Sequence, residues 1–134
     1  MRMILRLCSS AAFVVLSLAS SHSGAHHSFT VHYDADKMIT KEGIATEFRF
    51  TNPHAILMLE VTNEAGEKEQ WTVETTAPVY LRRFGWSADS IRPGDRLTVE
   101  GWASRDGSHF MRIRSATRAD GTVVGRGPLD AGDE

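Results

Sequence analysis

The chain has 134 residues, 41% of them apolar and 24% charged, with a formal net charge of −2 and one cysteine. That length suits one compact domain. The charge balance argues against a nucleic-acid partner, and one cysteine excludes an internal disulfide.

Residues 1–25 read as a secretory signal peptide: Arg2 and Arg6 make a basic start, Leu7 to Ala19 an apolar run, and Ser20 to Ala25 a polar end with a small last residue. The apolar run falls short of the roughly 20 residues a membrane span needs, and no later run replaces it. Ser23 and Ala25 mark a cut before His26, and Ser17 and Ala19 an alternative cut before Ser20. The first leaves 109 residues and lowers the basic count from 15 to 13 against 17 acidic side chains. Cys8 lies in the leader, in a context too early and too basic for a lipoprotein site. Any metal site of the mature chain must therefore use nitrogen and oxygen ligands, and the expected location is the periplasm.

In the mature chain, Ser28 to Lys37 alternates as a short edge strand or an extended arm, broken by Asp34-Ala35-Asp36-Lys37. Ile44, Thr46, Phe48 and Phe50 then share one face of a strand ending at Asn52-Pro53. Ala55 to Thr62 is a second strand, apolar on both faces and expected to be central. The turn Asn63 to Glu67 leads into Glu69 to Glu74, with Trp71 and Val73 inward. Thr75-Thr76-Ala77-Pro78 reads as a helix start with a threonine cap, and Ala77, Tyr80, Leu81 and Phe84 follow at helical spacing up to Gly85. Arg92-Pro93-Gly94-Asp95 turns into a strand over Arg96 to Trp102, and Arg105 to Ser108 turns into one over His109 to Thr117. In that last strand Met111 and Ile113 oppose Phe110, Arg112 and Arg114. Thr122 to Val124 is a candidate sixth strand.

Three strands, one short helix and two strands is the β-β-β-α-β-β order of an OB-like five-stranded barrel, a small β-sandwich being the alternative. The expected core is Phe48, Leu57, Leu59, Trp71, Val73, Leu81, Leu97, Val99 and Ile113. The barrel domain is assigned to residues 26–124, with 125–134 a loose tail.

Chemistry concentrates in the histidines. Cleavage after Ala25 exposes the α-amine and imidazole of His26, and one further imidazole, from His54 or His27, completes a three-nitrogen set that suits copper. Pro53 shapes the bend that carries His54. A cut before Ser20 instead leaves Ser20-Ser21-His22, also a copper-chelating start. Asp34 and Asp36 lack the remaining positions of a calcium loop and read as turn residues. No Gly-x-Ser-x-Gly elbow is present, and Glu60, Glu74 and Glu100 have no partner identifiable from sequence, so no catalytic constellation emerges.

Several segments together resemble a known family: His26-His27-Ser28-Phe29, Tyr33-Asp34-Ala35-Asp36-Lys37, Thr51-Asn52-Pro53-His54-Ala55, Trp71-Thr72-Val73-Glu74, Leu81 to Trp86 and Ile91 to Asp95. The combination is similar to an exported bacterial domain of unknown function, number 6152, over His26 to about Val124. The resemblance implies a periplasmic single-domain protein without assigned catalysis and marks His26, His27 and His54 as pattern positions. His32 and His109 fall outside those segments. Two functions follow as expectations: copper binding through His26, His27 and His54, or a metal-free module that holds an envelope ligand or protein partner on a face of Trp86, Trp102, Phe110, Arg82, Arg83, Arg112 and Arg114.

Overall fold

The computed structural model describes residues 29–131. The expected leader and cleavage point, His26 and His27 lie outside them. Five strands, β1 (Tyr33–Arg49), β2 (Ile56–Thr62), β3 (Lys68–Glu74), β4 (Arg96–Ser104) and β5 (Phe110–Arg118), close a barrel in the order β1-β2-β3-β5-β4. One short helix, α1 (Pro78–Arg83), joins β3 to β4. This is the OB-type arrangement expected from the element order, and closure of the ring rules out the sandwich.

The ring closes unevenly. β1 spends its first part on β4 and its second on β2, while β3 and β5 meet in parallel over three pairs only, Thr72↔Phe110, Val73↔Met111 and Glu74↔Arg112. A 17-residue β1 can serve two partners because a bulge between Ala45 and Glu47 bends it. The bulge also resets which residues face inward. Gly43 and Ala45 are buried where Ile44 and Thr46 were expected, and beyond it Phe48 and Phe50 pack against the core as half-buried rings.

The predicted break at Asp34 to Lys37 is absorbed as an irregular stretch within β1, between its Tyr33 and Met38 pairings with β4. Residues 29–32 are helical rather than extended. β2 is less central than its composition suggests: Leu57, Leu59 and Val61 point into the barrel, whereas Ile56, Met58 and Glu60 are half-exposed. The helix cap is Ala77, whose side chain makes no capping bond; the Thr75 hydroxyl is used instead to donate to the Ala55 carbonyl at 2.8 Å. Pro78 and Leu81 form the buried side of α1.

Leu57, Leu59, Val73, Leu81, Leu97, Val99, Met111 and Ile113 fill the barrel at 1% exposure or less. Burial of each such side chain is worth about 1.5–3 kcal/mol. Of the expected core only Phe48 is not fully enclosed. The candidate sixth strand reduces to a single bridge, Thr117↔Val123. Of the segment 125–134, expected to be loose, the described part to residue 131 is tied down: Arg126 and Leu129 donate their amides to the carbonyls of Phe84 and Arg114 at 2.7 Å each, and the Leu129 side chain is buried.

Candidate functional site

The hairpin register builds the site. Counting outward from the Asn63–Glu67 turn places Ile56 opposite Glu74, the last residue of β3. Two backbone bonds continue the pairing past the strand ends, Thr75 N–H to Ala55 at 2.9 Å and Ala55 N–H to Thr76 at 3.2 Å. His54, two residues before Ile56, thus becomes the diagonal neighbour of Glu74 on the same face, within reach of a side-chain contact. The Asn52-Pro53 bond before it is cis.

Three elements converge on the Glu74 carboxylate. The Tyr33 hydroxyl, from the start of β1, donates to Oε2, and His54 Nδ1 bonds Oε1. Arg112 of β5 brings Nη1 to 3.9 Å from Oε1 while donating to the Thr75 carbonyl at 2.6 Å. Arg112 is only 4% exposed, and a buried guanidinium needs such partners to offset its lost hydration. An ionised carboxylate can only accept, so Nδ1 of His54 donates to it, and in the neutral imidazole Nε2 then presents its lone pair. The side chains of His54 and Glu74 are 31% and 20% exposed. Burial, and then the bond to Glu74, push the Tyr33 phenol well above its ordinary value, keeping it a neutral donor.

An aromatic cluster anchors Tyr33. Its ring lies 5.4 Å from that of Phe29 and stacks with Phe110 at 6.0 Å, and Phe29 meets Trp102 edge-on at 5.4 Å. Phe29 and Trp102 are buried, so the described end of the N-terminal arm folds back against β4. Beside this cluster an open cleft of about 340 Å³ is lined by His32, Tyr33, Glu74, Ser104, Asp106, Ser108 and Phe110. Hydrogen bonds from Ser104 and Ser108 hold the Asp106 carboxyl down at about 2.

Of the three expected metal ligands, His54 is in the described part and is oriented by a carboxylate; His26 and His27 lie outside it. Among the described residues no three His, Cys, Asp or Glu side chains converge as a metal-binding group. His109 is engaged elsewhere, stacked on Trp71 at 4.9 Å and 3.6 Å from Glu69. Asp34 Oδ1 accepts the Asp36 amide, as a turn residue does.

All three strand glutamates that had no identifiable partner acquire one: Glu60 pairs with Lys68 at 2.7 Å, Glu100 with Arg114 at 3.4 Å, and Glu74 with His54 and Tyr33. The hairpin register was the signal that would have found Glu74. Tyr33 and Arg112 left no such signal, because they come from distant strands.

The aromatic and arginine residues do not form one face. Trp86 belongs to the main core and Trp102 to the smaller cluster, Arg112 is buried, and Arg82 and Arg83 stand out from α1 over Phe50 and Tyr80. Among the described residues no helix is long and apolar enough to cross a membrane.

No curated protein matches the chain. Solved structures similar to it include two crystal structures of the mitochondrial single-stranded DNA-binding protein Rim1 from S. cerevisiae, both in the same crystal form and one of them selenomethionine-labelled. They are 14% and 13% identical to it, with TM-scores of 0.45 and 0.41, each covering 68% of this chain and 97% of the other. A family model matches residues 13–112, a span that holds His26, His27, His54, Glu74 and Arg112 and stops short of Val124. The chain belongs to that family, described as a family of unknown function, DUF6152.

Proposed function

We propose that this is an exported, periplasmic protein that binds a transition metal, copper before others, with His54 Nε2 as one ligand and the amine and imidazole of a processed His26 as the others. His27 is the alternative source of the third nitrogen.

The observation that carries this reading is the bond from His54 Nδ1 to Glu74. Ligating histidines characteristically donate their far N–H to a carboxylate, which selects the tautomer and aims the lone pair of the other nitrogen. The anchored arm adds support. His26 lies three residues before Phe29, at most about 10 Å of extended chain, and Phe29 packs on Tyr33, which shares the Glu74 carboxylate with His54. An all-nitrogen set including a terminal amine favours copper among divalent first-row metals.

Titration of the exported, processed protein with Cu(II) tests the reading. Binding at micromolar or tighter concentration is expected, weakened about 10–100-fold by Glu74→Gln and abolished by His54→Ala or His26→Ala. Absence of micromolar binding, or affinity indifferent to both alanine variants, overturns it. Intact-mass measurement belongs with this experiment, since a start at Ser20 removes the His26 amine.

A further inference from the structure

Charge is unevenly shared along the barrel. Residues 29–74 carry nine acidic and four basic side chains, residues 75–131 six acidic and nine basic. Arg49, Lys68, Arg96, Arg112 and Arg114 each have a glutamate within 4.0 Å. Arg82, Arg83 and Arg126 are exposed, and among the described residues none of their guanidiniums has a carboxylate at that distance. They are nevertheless held in place. The Arg82 guanidinium lies 5.3 Å from the ring centre of Phe50 and that of Arg83 5.2 Å from the ring centre of Tyr80. The Arg126 stem runs past Gly85, where an added methyl group would meet its Cγ at 3.1 Å. Cations near a helix C-terminus can serve its last carbonyls, but backbone amides already do so here. Phe84 and Trp86 donate to the Leu81 carbonyl, Gly85 to that of Arg82, and Arg126 to that of Phe84. The three charged heads are left facing outward, and beside them Val79 of α1 is 52% exposed.

We propose that the outer side of α1, with Arg82, Arg83, Arg126 and Val79, docks on the surface of a bilayer rich in anionic phospholipid. A guanidinium fork matches phosphate oxygens two at a time. The arginine stems and the Tyr80 ring are amphipathic and suit headgroup depth, apolar body inward and polar end in water. Val79 projects from the helix and can enter between headgroups, whereas a protein partner would offer its anchor a pocket to fill. A single-stranded nucleic acid fits less well, because it stacks its bases on open aromatic faces and guanidiniums already cover Phe50 and Tyr80. The acidic excess belongs to the β1–β2–β3 part of the chain, so a protein of net negative charge still offers a cationic patch. Neither His54 nor Glu74 takes part, and the contact is independent of metal binding.

The test is co-sedimentation of the exported, processed protein with vesicles of equal parts phosphatidylglycerol and phosphatidylcholine, against vesicles of phosphatidylcholine alone. Binding is expected to the anionic vesicles only. It should be present at about 0.1 M salt, where charges act over about 10 Å, and largely lost at about 1 M, where they act over about 3 Å. Each arginine at such a surface contributes about fivefold, so combining Arg82→Gln, Arg83→Gln and Arg126→Gln should weaken partitioning about 100-fold. The charge-matched triple Lys37→Gln, Arg49→Gln and Lys68→Gln, on the acidic part of the chain, should leave it nearly intact. The native tryptophans are at most 8% exposed, so in Val79→Trp the added indole supplies the exposed emission, which should shift to the blue on anionic vesicles. All six substituted cations are exposed, and circular dichroism checks that both triples fold; if the arginine triple does not, the salt dependence and the Val79→Trp emission decide. No preference for anionic vesicles, equal losses from the two triples, or an unmoved Val79→Trp emission overturns the proposal. Capture of single-stranded oligodeoxythymidylate in place of vesicles also overturns it and transfers the arginines to a nucleic acid.

Discussion

Gly101 offers the sharpest test of how the barrel holds this site together. It sits at the register shift between Glu100 and the rest of β4, opposite β5. A methyl group built there would stand 2.0 Å from the Arg112 carbonyl oxygen and 2.9 Å from the Met111 side chain. Ordinary contact needs about 3.4 Å, so β4 and β5, normally some 4.8 Å apart, must part locally by more than an ångström. The neighbouring ladder bonds cannot span that gap. Overpacking costs about 1–3 kcal/mol, and two lost backbone bonds add about 1 kcal/mol each, so Gly101→Ala should lose roughly 3–5 kcal/mol. Urea denaturation followed by far-UV circular dichroism measures it, with Gly107→Ala as the control: that residue, unlike Gly101, has nothing within 4 Å of an added methyl and carries only the cost of its positive φ. Arg112 is the residue displaced, so the Nδ1 resonance of His54 should shift as well. A loss below about 1 kcal/mol, within the cost of an ordinary surface change, would refute the close-approach argument.

Two further outcomes are expected. Tyr33 is held neutral in the folded chain while the unfolded chain releases its proton above about 10, so stability should fall as pH rises beyond that point; urea midpoints at pH 9 and 11 should show a smaller fall in Tyr33→Phe, and equal falls would contradict the assigned burial and bond. Leu129→Ala should cost about 2–5 kcal/mol by thermal or urea unfolding, the range for a buried leucine, and a loss near zero would mean that the segment after Gly125 does not pack as described.

Much of the architecture was legible from residue order alone. A doubly apolar run before the Asn63 to Glu67 turn and alternation after it located β2 and β3, proline and glycine bracketed α1, and the order of elements pointed to an OB-type ring. These signals are local: side-chain alternation and turn chemistry act between residues a few positions apart. The same locality explains the errors. A one-residue bulge at Thr46 reverses every inward and outward assignment before it, and the cap of α1 falls on Ala77 instead of a threonine, the Thr75 hydroxyl donating across the chain to Ala55. The loose tail was read from glycine and proline content, which carries no information about the pocket that receives Leu129.

For the site, the sequence by itself determined the histidines and their chemistry, including the bend that carries His54 and the terminal position that cleavage would confer on His26. It did not determine what holds His54. That required ring closure: β3 meets β5 at only three pairs, the last of which sets Glu74 beside Arg112, and β1 delivers Tyr33 to the same carboxylate from 41 positions away. A hydrogen bond of that sequence separation leaves no periodicity to read, because its partners are brought together by packing of the whole barrel and not by the chain between them. The tertiary structure thereby turned an isolated histidine into one bonded to a half-buried carboxylate, with the Tyr33 phenol and Arg112 guanidinium around that carboxylate and an anchored arm beside it.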